Sequence, residues 1–273
     1  MIRPRQQAMA DFKRQYIAHR GLFDNARGYP ENTLAAFQRA VDAGYGIELD
    51  VRLTKDGQLV VAHDDGLQRI CGEDVDIADL TYAELCTRRV LVSDQTVPLF
   101  TQVLAVIDGL VPLVVEVKQS NRTAETCQAT ADQLARYRGR YCVESFDPRV
   151  LLWFRRHRRG VLRGQLSGGF QEDGTGNRLL DACLINMVFN KFTWPDFIAY
   201  EWQQADRFTV RAWRAILRCA MVAWTIRSQV DLDAARGDFD VFIFDSFKPS
   251  HDRQCPRPLG PECGGQRCGG IAF

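Results

Sequence analysis

The sequence predicts an α/β protein of the (β/α)8 TIM-barrel class, with a short insertion after the second barrel strand. Short apolar segments alternate with longer amphipathic segments along most of the 273 residues. Such alternation is typical of a parallel sheet whose strands are connected by helices. A chain of roughly 250 residues can close a barrel of this kind as one domain. A doubly wound open sheet is the alternative that the same alternation allows.

The predicted strands are short runs of aliphatic, β-branched and aromatic residues, bounded by turn-forming residues or by helical patterns. They lie at residues 16–19, 46–51, 112–117, 141–146, 161–166, 197–201, 221–225 and 241–245. An extra strand at residues 58–63 follows Lys55-Asp56-Gly57, a turn sequence that predicts a β-hairpin with the second barrel strand.

Helical periodicity fills most of the segments between these strands. In residues 33–44, Leu34, Phe37 and Val41 recur at the spacing of one helical face, and Gly44 suits a helix end. Further helices are predicted at residues 82–88, 124–139, 148–160, 176–189 and 230–237, whereas residues 203–219 have no clear phase.

The predicted barrel domain spans residues 16–248, with an N-terminal extension at residues 1–15 and an insertion at residues 64–99. Residues 249–273 are rich in Pro, Gly and Cys and are predicted to form a tail beyond the barrel. A zinc site from His251, Cys255, Cys263 and Cys268 is the alternative, but these residues lack paired C-x-x-C spacing.

Charge, hydropathy and cysteine usage narrow the classes of function. The 35 Lys and Arg residues nearly balance the 34 Asp and Glu residues. The chain therefore lacks the excess of positive charge that binding to duplex nucleic acid requires. We predict neither a membrane span nor a secretory signal, because no apolar stretch is long enough and the first residues are polar and basic. The basic run at residues 155–159 is predicted to be a solvated helix end.

The cysteines of the predicted barrel are scattered singly along the chain, which predicts a reduced, cytoplasmic protein. They are Cys71, Cys86, Cys127, Cys142, Cys183 and Cys219.

Two carboxylates share one face of the second predicted strand. Glu48 and Asp50 are two residues apart, so their side chains point to the same side. Carboxylates side by side on an inward face repel each other and are costly to desolvate. A hard cation such as Mg2+ or Ca2+ offsets that cost, because it prefers carboxylate oxygens. Ion pairs with Arg20, Arg52 or Lys118 are the alternative.

The next barrel strand repeats this arrangement with Glu116 and Lys118. Glu116 is predicted to bring a third carboxylate to Glu48 and Asp50. Three carboxylate ligands suit an oxygen-preferring divalent ion better than zinc. Lys118 is expected to place a positive charge on a phosphoryl oxygen, or else to pair with Glu116.

Two histidines lie at predicted strand ends. His19 ends the first strand and is followed by Arg20, whereas His63 ends the hairpin strand that folds back toward the same edge. The C-terminal strand ends form the active-site face of a barrel. Histidine exchanges protons near neutral pH, and arginine can hold a phosphate with two donors. We predict that one histidine acts as the general acid and the other as the general base. The sequence does not decide which histidine has which role.

Five motifs follow one another in the first half of the chain. They are His19-Arg20-Gly21, Pro30-Glu31-Asn32-Thr33, Glu48-Leu49-Asp50-Val51, Thr54-Lys55-Asp56-Gly57 and Val60-Val61-Ala62-His63-Asp64. Their order and spacing resemble those of the glycerophosphodiester phosphodiesterase family. Glu116-Val117-Lys118 and Trp224-Thr225-Ile226 also look like its pattern. The match is close over residues 16–118 and looser to about residue 248.

The resemblance implies a TIM-barrel enzyme that uses Mg2+ or Ca2+ to hydrolyse a glycerophosphodiester to an alcohol and glycerol 3-phosphate. It implies metal ligands at Glu48, Asp50 and Glu116, an acid–base pair at His19 and His63, and phosphate binding by Arg20 and Lys118. Trp224 is expected to contact the alcohol portion of the substrate, with core packing as the alternative. Asn32 is expected to cap the helix from Thr33, and Glu31 to support the site.

Some positions depart from the family pattern, and they leave the substrate open. The chain has Gly44-Tyr45-Gly46 where an acidic stretch is frequent, and Phe244-Asp245 where Thr-Asp is more frequent. A lysophospholipase D would need an apolar groove, which the insertion and the phenylalanines Phe170, Phe189, Phe192 and Phe197 could build, with core packing of these segments as the equal alternative. A barrel that binds phosphodiesters without turnover is the third alternative, and the presence of all seven polar site residues argues against it.

Overall fold

Eight parallel strands close into a barrel in the computed structural model, which describes residues 9–169 and 177–250. The barrel strands are β1 (Ile17–Ala18), β2 (Gly46–Leu53), β4 (Leu113–Val117), β5 (Tyr141–Ser145), β6 (Arg163–Ser167), β7 (Phe197–Glu201), β8 (Ala220–Ile226) and β9 (Val241–Phe244). Closure occurs because β1 pairs in parallel with both β2 and β9. The predicted TIM barrel is thereby confirmed, and the open sheet is wrong.

The extra strand is also present as predicted. β3 (Leu59–Val61) pairs antiparallel with the end of β2, with Val51 opposite Val61. The backbone N–H of Ala62 donates to the carbonyl of Asp50, 3.0 Å away. This bond holds the residue before His63 against the backbone of Asp50.

Helices connect the strands and cover the outside of the barrel. They are α1 (Leu34–Asp42), α2 (Gln68–Cys71), α3 (Tyr82–Leu85), α4 (Phe100–Ile107), α5 (Thr123–Leu134), α6 (Pro148–His157), α7 (Arg178–Ile185), α8 (Asn190–Thr193), α9 (Phe208–Leu217) and α10 (Gln229–Ala235). Residues 203–219, whose sequence has no clear helical periodicity, contain α9. No helix in the described ranges is both long enough and apolar enough to cross a membrane.

Two apolar clusters hold the barrel together, one on each side of its strands. The larger cluster lies between the strands and the helices and includes the fully buried Phe37 and Phe154. The inner cluster fills the barrel and includes Phe197, for which Gly164 on the neighbouring strand leaves space. Each such side chain contributes about 1.5–3 kcal/mol when it leaves water. Met9, from the helical residues 9–12, joins the inner cluster.

The insertion has a small core of its own. Val60, Leu67, Ile70 and Leu85 are among its buried residues. Helix α3 begins with a capping box in which Thr81 and Glu84 exchange hydrogen bonds, an arrangement that stabilises a short helix. The insertion is therefore a packed layer against β3 rather than a loose loop.

The first helix corrects one prediction. Thr33, not Asn32, is the N-cap of α1, and its hydroxyl accepts from the backbone N–H of Ala36. Asn32 instead has a φ of 56°, and its side-chain amide donates to Asp50 at 2.8 Å. The tertiary bond to a buried carboxylate outweighs the local cap. The zinc ligands considered in the tail, from His251 to Cys268, lie outside the described residues.

Candidate active site

Three buried carboxylates meet at the C-terminal ends of β2 and β4. Glu48, Asp50 and Glu116 are 3%, 1% and 7% exposed, and we call them the acidic cluster. The parallel register places Asp50 opposite Glu116, while Glu48 and Asp50 share a strand face. One oxygen from each lies within 4.8 Å of the others, a spacing that a single cation can bridge. The cluster predicted from the sequence is therefore assembled by the fold.

Lys118 neutralises only part of this charge. Its Nζ lies 3.0 Å from Oδ1 of Asp50 and 2.9 Å from Oε1 of Glu116. Burial alone would lower the pKa of Lys118, but the two carboxylates outweigh it and raise that pKa. Burial would likewise raise the pKa of Asp50, yet Lys118, His63 and Arg20 hold it well below its usual range. Asp50 is thus an anion at neutral pH.

The other two carboxylates show why a divalent ion fits the site. Burial, followed by repulsion from Asp50 and Glu116, raises the pKa of Glu48 well above its usual value. Burial and Asp50 also raise the pKa of Glu116, against the opposing effect of Lys118. A divalent cation would counteract both pKa increases, because it attracts all three carboxylates at once.

Asn32 adds a fourth oxygen beside the acidic cluster. Its Oδ1 atom is buried next to Asp50 and has no hydrogen-bond partner in the described part of the chain.

Arg20 is held at the edge of the acidic cluster by its unusual backbone. Arg20 and Gly21 both have positive φ, at 55° and 84°. A Cβ on Gly21 would lie 2.9 Å from the carbonyl carbon of Ala36, so a glycine is required where this turn meets α1. The turn lets the backbone N–H of Arg20 donate to Glu48 at 3.1 Å and places its Nε 3.7 Å from Asp50. The sequence His19-Arg20-Gly21 therefore has a steric basis.

His19 is oriented by a carboxylate from the last barrel strand. Its Nδ1 lies 3.0 Å from Oδ2 of Asp245, and its Nε2 lies 3.9 Å from Oε2 of Glu48. Burial lowers the pKa of His19 by more than Asp245 raises it, which favours the neutral ring. A neutral ring that donates from Nδ1 leaves Nε2 free to accept a proton.

His63 has a similar partner in the next residue. Its Nδ1 lies 2.6 Å from Oδ1 of Asp64, and the guanidinium of Arg52 donates to its backbone carbonyl. His63 is one of the charged groups that oppose the effect of burial on the pKa of Asp50 and of Glu116. Both predicted histidines thus follow strands that pair with the same edge of β2, His19 after β1 and His63 after β3, while β4 occupies the other edge.

Asp245 and Glu144 were not among the site residues predicted from the sequence. Glu144 lies opposite Glu116 in the sheet, is 1% exposed, and has an Oε2 atom without a hydrogen-bond partner in the described residues. Burial and then Glu116 raise the pKa of Glu144 well above its usual value. A lone glutamate inside the apolar run of β5 was the available signal. For Asp245, the signal was a carboxylate at the end of the strand that closes the barrel against β1.

Trp224 lies at the end of β8, over the inner cluster. Its ring packs edge-to-face on Phe146, with 5.6 Å between the ring centres. Its Nε1 is buried and has no hydrogen-bond partner in the described residues. The ring is half-buried at the mouth of the barrel, so contact with a substrate and core packing are both compatible with this position.

A cavity of about 1310 Å3 opens on the outside of the barrel, between α6 and the helices α7 and α8, and no residue of the acidic cluster lines it. It begins at Gln119, which directly follows Lys118, and Phe189 and Phe192 line it. Phe197 belongs to the barrel interior instead, and Phe170 lies outside the described residues. The basic run at residues 155–159 lies at the C-terminal end of α6 as predicted, and three of its arginines border the cavity.

Comparison with known proteins gives one family. The model of the Glycerophosphoryl diester phosphodiesterase family matches residues 19–236. The matched range begins at His19 and contains the acidic cluster and His63.

Curated relatives are similar to a shorter part of the chain. It is 50% identical over 70 residues to the glycerophosphodiester phosphodiesterase of Caldanaerobacter subterraneus, and 49% identical over 75 residues to human lysophospholipase D. These matches cover 25% and 27% of this chain, and 28% and 23% of the two relatives. The chain therefore spans about a quarter of the length of the curated relatives that it matches.

Solved structures match over most of the chain. A glycerophosphodiester phosphodiesterase from Thermotoga maritima has a TM-score of 0.64 at 26% identity, covering 84% of this chain and 93% of that one. A phosphodiesterase from Oleispira antarctica, solved with its product sn-glycerol-3-phosphate, has a TM-score of 0.68 at 23% identity, covering 85% and 92%. The second likeness, at this low identity, shows the fold alone.

Proposed function

Because this chain belongs to the glycerophosphoryl diester phosphodiesterase family, we propose that it hydrolyses a glycerophosphodiester to an alcohol and glycerol 3-phosphate. One observation carries the proposal: the acidic cluster is buried at the C-terminal edge of the barrel, within reach of Lys118 and Arg20. Carboxylates gathered beside fixed cations suit a bound divalent ion and a phosphate together.

The acidic cluster would hold the divalent cation, either Mg2+ or Ca2+. When bound, such a cation withdraws charge from the phosphoryl oxygens that it contacts. Lys118, released from two of the carboxylates, would then be free to bind a phosphoryl oxygen. Arg20 would bind a second one, because its guanidinium already lies at the edge of the cluster. Together they would stabilise the charge that develops in the transition state.

The two histidines would move the protons. His19, held neutral with Nε2 free, is arranged to accept a proton from the attacking hydroxyl or to return it to the leaving alcohol. His63, oriented through Asp64, would take the complementary part. The attacking hydroxyl belongs to water or to the neighbouring glycerol carbon, and the second route passes through a cyclic phosphate.

A second substrate class, lysophospholipids, is favoured by the cavity between α6 and the helices α7 and α8. Its apolar lining includes Phe146, Leu184 and Phe189, and one residue at its border, Gln119, directly follows Lys118 in the sequence. Its volume of about 1310 Å3 exceeds the roughly 300–1,000 Å3 of typical small-molecule pockets, so it has space for an acyl chain. The similarity to human lysophospholipase D agrees with this candidate. Trp224 would contact the alcohol portion of either substrate.

A turnover assay tests both candidates. Glycerophosphocholine and lysophosphatidylcholine are incubated with the protein, with EDTA, and with EDTA followed by excess Mg2+ or Ca2+. We expect choline release that EDTA abolishes and one of the two ions restores, with glycerol 3-phosphate or lysophosphatidate as the second product. Binding of glycerophosphocholine without any turnover would instead indicate a barrel that only binds phosphodiesters.

We also propose that the protein is reduced and cytoplasmic. It is supported by six free thiols in the described residues, two of them buried and four partly buried. Thiol titration of the denatured, non-reduced protein tests it. Stable disulfides among these six cysteines would contradict it.

A further inference from the structure

The insertion delivers one guanidinium to the active-site face. Arg69 lies in α2, and its Nη1 and Nη2 donate to the two oxygens of Glu31 at 2.9 and 2.8 Å. Its Nε donates to Oδ2 of Asp64 at 2.6 Å. The three bonds use the fixed planar fork of the guanidinium, which a lysine ammonium cannot reproduce.

Each of these carboxylates holds a second residue, and the proposed reaction uses both of them. The other oxygen of Asp64 bonds to Nδ1 of His63 at 2.6 Å. Oε1 of Glu31 accepts from Nη1 of Arg20 at 2.7 Å. Arg69 is thus the central member of a continuous chain of charged bonds from His63 to Arg20.

The carboxylates in this chain depend on Arg69 for their charge balance. Burial alone would raise the pKa of Glu31, but Arg69 and then Arg20 lower it to about 2. The bond from His63 and then the bond from Arg69 hold the pKa of Asp64 well below its usual range. Without Arg69, Arg20 would be the only charged partner of Glu31, beside a 3.5 Å bond from Nδ2 of Asn25, and Asp64 would be free to rotate away from His63.

The position of Arg69 is fixed by the core of the insertion. Leu67 and Ile70, on either side of it in sequence, are 0% and 7% exposed within that core. The backbone N–H of Leu67 donates to Val75, and that of Leu91 donates to Ile70. The side chain therefore projects from a packed layer that does not need to move for the contacts to form.

We infer that Arg69 is a positioning residue that fixes the ring tautomer of His63 and the direction of Arg20. It touches no reacting atom. Through Asp64 it keeps the proton of His63 on Nδ1, so that Nε2 can accept a proton. Through Glu31 it holds the Arg20 guanidinium at the edge of the acidic cluster. The packed insertion then fixes the positions of the His63 ring and the Arg20 guanidinium. This inference rests on the proposed function.

Steady-state kinetics of Arg69→Met and Arg69→Lys give the first test. We expect Arg69→Met to lower kcat by about 10–100-fold, the usual size of a lost supporting contact around an active site, with metal affinity within about threefold. Arg69→Lys should recover only part of this loss. The matched control is Arg88→Met, which removes the Arg88–Glu73 ion pair at 2.8 Å from the same insertion without reaching the site. It should keep kcat within about twofold.

Nitrogen NMR of the His63 ring gives a readout that does not depend on turnover. The wild-type protein should show the neutral ring protonated on Nδ1, and Arg69→Met should show a mixture of the two tautomers. Added guanidinium ion should restore part of the activity of Arg69→Ala, with Arg88→Ala unaffected. Thermal unfolding of each variant identifies any that fail to fold, and Arg69→Lys then carries the comparison.

Two results would overturn the inference. One is an unchanged His63 tautomer in a folded Arg69 variant; the other is a loss of kcat that Arg88→Met reproduces. A wild-type protein that turns over no phosphodiester would contradict the proposed function instead. In that case the NMR measurement would still decide whether Arg69 positions His63.

Discussion

The Nδ1 atom of His19 lies 3.0 Å from Oδ2 of Asp245, so the first barrel strand and the last one share a hydrogen bond at the active-site face. This bond exists only because the barrel is closed. A carboxylate that accepts from Nδ1 fixes the tautomer and orientation of an imidazole whose other nitrogen exchanges the proton. Asp245 also accepts from the hydroxyl of Ser246 at 2.8 Å, which steadies the carboxylate.

We therefore expect Asp245→Asn to lower kcat by about 10–100-fold while leaving metal affinity nearly unchanged. The amide can present its NH2 to Nδ1, which would favour the tautomer whose proton lies on Nε2. Steady-state kinetics and calorimetry measure the two quantities. Ser246→Ala is the matched control, because it removes the bond behind the carboxylate and keeps the carboxylate itself; its loss should be smaller. Equal activity of Asp245→Asn and the wild type would remove Asp245 from the site.

The acidic cluster should determine the affinity for the divalent ion. Glu48→Gln, Asp50→Asn and Glu116→Gln each replace a charged oxygen by a neutral amide, so each should weaken binding of Mg2+ or Ca2+ by at least about tenfold. Calorimetry on the metal-free proteins measures this. Glu125→Gln is the control, because Glu125 is exposed in α5 and forms an ion pair with Arg122, just before that helix, at 2.7 Å. Unchanged affinity in all three cluster variants would contradict the assignment.

The two histidines should affect turnover and not metal binding. His19→Ala and His63→Ala are each expected to lower kcat by on the order of a hundredfold, the usual contribution of a general acid or base. Metal affinity should change little, because Mg2+ and Ca2+ prefer oxygen ligands. If both act in one concerted transfer, the losses should not multiply in the double variant. His157→Ala is the control, since His157 stacks on Trp153 at the exposed end of α6. Full activity in either variant would show that the substituted histidine takes no part in the proton transfer.

The residues that the sequence could identify are those whose positions follow from local periodicity. Glu48 and Asp50 share a face because strand side chains alternate, and Glu116 follows from the same rule on β4. The meeting of these two strands required only that parallel neighbours end at one edge. The hairpin after Lys55-Asp56-Gly57 added His63 by local turn geometry.

The residues that were missed depend on contacts between distant parts of the chain. Asp245 meets His19 across 226 positions, and Arg69 meets Glu31 across 38. Periodicity carries no information about such pairs, because it does not say which strand closes the barrel or where an insertion folds back. The cap assigned to Asn32 failed for the same reason, since the partner of its amide is a carboxylate on β2.

The ion pairs of Glu31 should make stability depend on pH in the acid range. Although burial alone would raise the pKa of Glu31, Arg69 and Arg20 lower it to about 2, from an ordinary value of 4.5. A depressed pKa means that the unfolded chain takes up the proton first. The stabilisation is therefore complete above the unfolded pKa and is lost as the pH falls toward the folded one.

This shift predicts how far Glu31→Gln and the wild type should differ. The glutamine cannot be ionised, so the stability lost on substitution should be largest near pH 6. It should shrink by about 2 kcal/mol on going to about pH 3, because at 1.36 kcal/mol per pKa unit most of the ionic contribution has then been lost. Urea unfolding of both proteins at several pH values measures the difference. Glu73→Gln is the control: Glu73 is half-exposed and pairs with Arg88, so its effect should stay below about 1 kcal/mol. A difference between Glu31→Gln and the wild type that stays constant from pH 6 to pH 3 would show that Glu31 is not held as an anion by Arg20 and Arg69.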